Sequence, residues 1–210
     1  AKWSYMFGGQ ANPQVTIRSI VNRGGEQGAQ HSQLLHSLFA HIPGLRVVMP
    51  YSVSDARDLL ISSVLCDDPV MYIDDRWLYA TEAQLSPVTE CPLNSIGPAV
   101  LEKGSDISVV GCGHSVHLAR LAIPLIKRFG VSLELIDLRV LNPLDIDCIA
   151  KSVEKTGRLL VVDPGTKTSG FAGEVIVSVI EKVSLSKFRA NPQRLTLPDF
   201  PAPTATTLEH

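Results

Sequence analysis

The sequence predicts an α/β protein in which short apolar strands alternate with amphipathic helices. Three observations predict it. Runs of strand length rich in Val, Ile and Leu recur, among them "LRVVMP", "PVMYID", "ISVVGCG" and "RLLVVD". Stretches with helical spacing of apolar residues lie between them. The strands are apolar throughout rather than every second residue, as in a parallel sheet covered by helices on both faces. A chain of 210 residues, 45% hydrophobic and 19% charged, is long enough for one large or two modest domains with a real core.

The elements follow in order. "VTIRSIVN" (15–22) is a β-branched run of strand length, and a loop with Gly24, Gly25 and Gly28 comes after it. "HSQLLHSLFAHIPG" reads as one helix, because Leu34, Leu35, Leu38 and Phe39 form a single stripe and Pro43-Gly44 stops it; His31 or Ser32 then lies near its N-cap. Strand "LRVVMP" precedes a helix "SVSDARDLLISSVL" with Ser54 as its N-cap, a turn over 66–69 and strand "PVMYID". Residues 79–98 are rich in Pro, Ser and Thr and carry neither period, so they read as a linker. A second alternation comprises "ISVVGCG", a helix over 115–129, "VSLELIDL", a helix over 145–155, "RLLVVD" and a helix over 172–183. Three parallel strands separated by helices predict a doubly wound domain.

Charge and composition narrow the function. A formal net charge of -2 leaves no basic excess to hold a polyanion, so no nucleic acid partner is expected. No apolar run approaches the ~18 residues of a membrane span, and "AKWSYMFGGQ" lacks the order of a signal peptide. No membrane association is expected, and the predicted location is cytoplasm or an organelle matrix. Cys66, Cys91, Cys112 and Cys148 are scattered without a C-x-x-C pair, which predicts reduced thiols and no zinc site. Both ends read as cut, with Leu208, Glu209 and His210 either native sequence or the stub of a purification tag.

Four places offer chemistry. His114 and His117 lie three apart beyond Cys112, but no fourth ligand is near, and a helix N-terminus is the better reading. "GCGHSV" follows a strand and opens a helix like a dinucleotide loop, yet Val116 stands at the third glycine position. "DPGTKTSGFAGE" offers backbone N–H groups at a helix start without the Gly-Lys-Ser/Thr order of a P-loop, and reads as a tight turn. His36 and His41 are spaced five apart from His31 and read as surface or helix-end residues. His31 differs: at a helix N-terminus the macrodipole keeps an imidazole neutral and able to accept or relay a proton. Gln30, Ser32 and Gln33 can orient it, and Gly28 lets a ligand approach.

"AQHSQ" (29–33), with "HIPGLRVVMP", "SVSDARDLL", "DDPVMYID", "IDLRVLNPLDID" and "VVDPGTKTSGFAGE", resembles the β subunit of the thiamine-diphosphate-dependent 2-oxo acid dehydrogenases. These are the E1 components of the pyruvate and branched-chain complexes. The resemblance covers nearly the whole chain. It implies the C-terminal half of a pyrimidine-binding domain over 1–85, a linker over 86–98 and a transketolase C-terminal-type doubly wound α/β domain over 99–210. It also implies oxidative decarboxylation of a 2-oxo acid with acyl transfer to a lipoyl group. Thiamine diphosphate with Mg²⁺ is the implied cofactor. The implied partners are an E1 α subunit, an E2 lipoyl acyltransferase and a second β subunit in a homodimer contact. His31 matches the family histidine that supplies or orients a proton during acyl transfer. The glutamate that contacts the aminopyrimidine is implied upstream of these residues and is not replaced by Glu26, so this portion alone is expected to be inactive, and its cut first lobe to favour self-association. The turn "SVLCDD" matches a loop that in some members binds potassium through main-chain oxygens, at Val15, Ser63, Val64, Cys66 and Asp68; Cys66 stands where others often have Asp. Two rivals stay open. A transketolase or deoxyxylulose-phosphate synthase type enzyme is expected to carry phosphate ligands beyond Arg18 and Arg23. A module for subunit assembly or E2 docking has no chemistry of its own.

Overall fold

The computed structural model describes residues 1–22, 27–88 and 90–209. The elements are α1 (Trp3–Met6), β1 (Thr16–Val21), α2 (Gly28–His31), α3 (His36–Ala40), β2 (Arg46–Val48), α4 (Val53–Val64) and β3 (Val70–Asp75). They continue with β4 (Ala99–Glu102), β5 (Ile107–Gly111), α5 (His114–Arg128), β6 (Leu133–Asp137), β7 (Val140–Asn142), α6 (Asp147–Thr156), β8 (Leu159–Thr166), α7 (Phe171–Lys182), β9 (Gln193–Leu197) and α8 (Thr206–Glu209). The chain divides into two compact units. The first holds Ala1–Gly97, Arg139–Pro143 and Phe200–His210; the second holds Pro98–Leu138 and Leu144–Asp199.

In the first unit the sheet order is β1-β3-β2-β7, with β1, β3 and β2 parallel and β7 antiparallel to β2. All six residues of β3 are buried, as a central strand covered on both faces requires. Val48, Leu59, Val70, Tyr72, Leu93 and Val140 pack into one cluster, and the Tyr72 hydroxyl donates to Ala56 O at 2.8 Å to fasten α4 over β3. The N-cap of α4 is Ser52, not Ser54. Its Oγ accepts from Asp55 N at 3.1 Å and donates to Asp55 Oδ2 at 2.6 Å, because a carboxylate three residues on can complete the cap.

One further expectation is corrected here. The helix read over 31–42 is two short helices, α2 and α3, with Ser32–Leu35 between them. Leu34 and His36 are buried, whereas Leu35 and Leu38 are exposed, so the leucines do not share a stripe. Ser32 ends the first piece by donating its Oγ to Asn22 O at 2.7 Å, a side-chain bond that competes with helix continuation. In the segment read as a linker, residues 79–88 are exposed throughout, and the chain is tied to the first unit at three points: Arg57 donates to Ser86 O at 2.7 Å, Ser62 Oγ donates to Cys91 O at 2.6 Å, and Leu93 is 2% exposed. A single apolar anchor among prolines leaves no period to read.

In the second unit the order is β4-β6-β5-β8-β9, with β6, β5, β8 and β9 parallel and β4 antiparallel to β6. The three predicted strands therefore lie side by side in one parallel sheet, with α5 and α6 in the crossovers. Strand β7 leaves this unit to pair in the first sheet, where Asn142 Nδ2 donates to Ala40 O at 3.1 Å and Leu45 O at 2.9 Å. Beneath α6, the Ser108, Ser152 and Thr156 hydroxyls connect to Glu134, which also takes Lys155.

Candidate functional site

Parallel strands leave their carboxyl ends open for ligands, and in the first unit His31 lies there. Beyond Val21, the last residue of β1, Asn22 N donates to His31 O at 3.0 Å while Asn22 O accepts Ser32 Oγ at 2.7 Å. Ser32 N closes the turn on Gly28 O at 3.1 Å, and Ser32 is fully buried. Two opposed hydrogen bonds thus clamp the His31 backbone to the end of β1, leaving the residue exposed. Gly28 has φ +63°, and a Cβ there would stand 2.5 Å from Thr204 Oγ1, so both conformation and space call for glycine.

Two of the expectations for His31 are not met. His31 is the last residue of a four-residue helix and does not sit at a positive helix end. Ser32 is committed to Asn22 O and does not orient the imidazole. What sets His31 apart is an exposed side chain on a backbone anchored at the carboxyl edge. His36, read as a surface residue, is fully buried, whereas His41 is exposed. Arg23, Gly24, Gly25 and Glu26 lie outside the described residues.

Beside β1, the carboxyl end of β3 carries a group that reading by motif did not find. Asp74 Oδ2 accepts Arg18 Nη2 at 2.7 Å, Arg18 Nε at 3.1 Å and the Tyr79 hydroxyl at 3.2 Å, and Arg18 Nη2 also donates to the Tyr79 hydroxyl at 2.7 Å. Burial, then the Asp74 charge, push the Tyr79 phenol up, and the same causes push up Tyr72 beneath it. Asp75 pairs in register with Val21 and caps the turn Arg76–Leu78 by accepting Trp77 N at 3.0 Å. The signal for this group was two aspartates closing an apolar run, "VMYIDD".

The segments expected to hold potassium are adjacent. Thr16 Oγ1 donates to Ser63 O at 2.9 Å, and Val15 O accepts Val70 N at 2.8 Å. Ser63 O also accepts Cys66 N at 3.3 Å, Val64 is exposed, and the Asp68 carboxylate takes Arg46 Nε at 2.7 Å. Val15 O keeps a second acceptor direction for a cation, whereas both lone pairs of Ser63 O are taken, by Thr16 Oγ1 and by Cys66 N.

In the second unit the motifs serve the fold. Ser115 Oγ bonds Cys112 O at 2.8 Å and Val162 O at 2.9 Å, and a Cβ on Gly111 would meet Val162 Cγ2 at 2.7 Å, so "GCGHSV" brings β5 against β8. Asp163 accepts Ala172 N and Gly165 N, each at 2.8 Å, and its carboxylate occupies the anion position at the start of α7. Burial, then the Asp163 and Asp137 charges, push the Cys112 thiol well up, which disfavours metal ligation. The His114 and His117 rings stack at 5.7 Å. Among the described residues no group of three or more His, Cys, Asp or Glu could hold a metal ion, and no helix is long and apolar enough to cross a membrane.

Residues 1–81 match the family described as the transketolase pyrimidine binding domain, and residues 98–210 the transketolase C-terminal domain. The chain belongs to the transketolase C-terminal domain family. It is 37% identical over 209 residues to the acetoin:2,6-dichlorophenolindophenol oxidoreductase subunit beta of Cupriavidus necator, covering 100% of this chain and 61% of that protein. It is 37% identical over 215 residues to the mitochondrial pyruvate dehydrogenase E1 component subunit beta-1 of Arabidopsis thaliana, covering 100% of this chain and 58% of that one. The chain thus spans about three fifths of such relatives. A solved structure titled split gene transketolase, inactive beta4 tetramer, shares the fold at a TM-score of 0.70 and 20% identity, over 88% of this chain and 58% of that one.

Proposed function

We propose that the chain is the His31-bearing portion of the β subunit of a thiamine-diphosphate-dependent 2-oxo acid dehydrogenase. One observation carries the reading: an exposed histidine whose backbone is clamped at both His31 O and Ser32 Oγ to the carboxyl end of a parallel strand. Relatives named as E1 β subunits match along the whole chain, which supports it. Thiamine diphosphate supplies, when bound, the carbon that takes up the 2-oxo acid and releases CO₂. Among the described residues no acidic cluster could hold Mg²⁺, and we assign the diphosphate and Mg²⁺ to an α subunit. His31 moves the proton of acyl transfer. As the lipoyl disulfide opens, one sulfur takes the acyl carbon and the other leaves as a thiolate, which takes a proton from His31 in its imidazolium form; the neutral imidazole left behind then takes a proton back from water.

Arg18 favours this reading over the sugar-phosphate rival, because Asp74 and Tyr79 already hold its guanidinium. Potassium belongs to the same proposal, held by main-chain oxygens of Val15, Ser63, Val64, Cys66 and Asp68 where the negative end of α4 favours a cation, with Ser63 O giving up its long 3.3 Å bond from Cys66 N to the ion. The test is to assemble the complete β subunit with its α subunit and offer pyruvate, a branched 2-oxo acid, acetoin and a ketose phosphate. Acylation of a lipoyl domain by a 2-oxo acid is the expected result; ketol transfer from the sugar phosphate without lipoyl acylation would overturn the proposal.

A further inference from the structure

The last residues of the chain come back to the turn that carries His31. Strand β9 ends at Leu197 in the second unit, yet Phe200–His210 belongs to the first. Pro201 and Pro203 fix φ at about -65° and have no N–H to pair, so this stretch is stiff without joining a sheet. Ala202 and Pro203 are half-buried. Thr204 then rests on Gly28, the first residue of α2. Among the described residues, the three atoms nearest to a Cβ built on Gly28 all belong to Thr204: Oγ1 at 2.5 Å, Cβ at 3.6 Å and Cα at 3.9 Å.

Helix α2 is a single turn, and a helix that short does not hold itself together. Its far end is fixed to β1, because His31 O accepts Asn22 N at 3.0 Å and Ser32 Oγ donates to Asn22 O at 2.7 Å. Its near end has no such bond. Gln27 at the N-cap makes no side-chain cap bond among the described residues, and Gly28 takes a left-handed φ of +63°. Gly28 is nevertheless buried, whereas Ala29, Gln30 and His31 are exposed. The near end is therefore held by packing, and Thr204 is the residue packed on it.

We propose that Thr204 is a positioning residue for His31. The C-terminal segment straps the near end of α2, so that a turn already clamped at Ser32 presents its imidazole in one place. Placement matters to proton delivery, since a displacement of about 1 Å can cost about 10²-fold in rate. Thr204 acts only through His31 and so depends on the proton role proposed for that residue.

Two measurements test this, one without catalysis and one with it. In the 210-residue chain the Ser32 amide donates to Gly28 O at 3.1 Å across the turn, and the Val70 amide donates to Val15 O at 2.8 Å elsewhere in the first unit. Thr204 is exposed, so Thr204→Gly is expected to fold. It should speed hydrogen exchange at the Ser32 amide by about tenfold or more and leave the Val70 amide within about twofold. In the complete β subunit assembled with its α subunit, Thr204→Gly should slow single-turnover acylation of a lipoyl domain by about tenfold at unchanged cofactor affinity. Thr204→Val keeps the branched shape and should stay within about threefold of wild type. In a His31→Ala background, Thr204→Gly should change the rate by less than about twofold, because no imidazole is left to position. Unchanged exchange at Ser32, equal acceleration at Val70, or equal slowing of acylation in both backgrounds would overturn the proposal. Faster exchange at Ser32 alone, with His31→Ala itself within about threefold of wild type, would keep Thr204 as the strap of the turn and refute the proton role of His31 instead.

Discussion

Glu134→Gln removes a charge from the second unit without changing its volume. Glu134 is 4% exposed on β6 and accepts from Ser152 Oγ and Lys155 Nζ. Burial pushes its carboxyl up, but the bonds from Lys155 and Ser152 outweigh burial and hold it below the ordinary glutamate value. Hydrogen bonds to charged groups contribute about 1.5 to 3 kcal/mol. Glutamine keeps a neutral acceptor for Ser152, and Lys155, 46% exposed, can turn to water, so the expected cost is about 1 to 2 kcal/mol. A carboxylate lowered in the folded state stabilises fully above its unfolded value, about 4.3, and that contribution fades as pH falls through the folded value. The gap between wild type and variant should therefore be constant from pH 6 to 8 and close on acidification below about pH 4. Urea unfolding followed by far-UV circular dichroism measures it; Trp3 and Trp77 both lie in the first unit, so fluorescence does not follow this one. A gap that stays the same at acid pH, or one below about 0.3 kcal/mol, would refute the electrostatic account.

Three further outcomes follow from packing and geometry. Leu93→Ala should cost about 2 to 5 kcal/mol in thermal or urea unfolding, because Leu93 packs in the first core; a loss under about 0.5 kcal/mol would show that it does not hold that core together. His36→Ala should destabilise by about 2 kcal/mol or more, while His31→Ala should stay within about 0.5 kcal/mol, since one side chain is fully buried and the other exposed. Potassium at about 100 Kd should raise the unfolding free energy of the first unit by about 2.7 kcal/mol relative to sodium, and no difference between the ions would remove the potassium site.

Much of the fold was legible because both alternating series obey simple periods. The strands at 46–48, 70–75, 107–111, 133–137 and 159–166 are apolar runs bounded by turn residues, and α4, α6 and α7 follow their stripes. What escaped depends on contacts distant in sequence. Strand β7 has three residues, and its place in the first sheet depends on Asn142 reaching Ala40 and Leu45 about a hundred positions earlier. The break between α2 and α3 depends on Ser32 choosing Asn22 O over the helix, which no stripe of leucines records. At the site, His31 stood out by motif, but its helix-dipole rationale failed with the helix boundary. Asp163 resolved the opposite way: its side chain fills the turn that could have held an external anion.

The central claim is that His31 acts on acyl transfer rather than on cofactor retention. Single-turnover acylation of a lipoyl domain by the assembled enzyme, compared for wild type and His31→Ala at saturating thiamine diphosphate, tests it most directly. The account predicts a rate lower by about 10²- to 10⁴-fold with cofactor affinity nearly unchanged. A rate within about threefold of wild type, or a loss recovered by adding more cofactor, would contradict it.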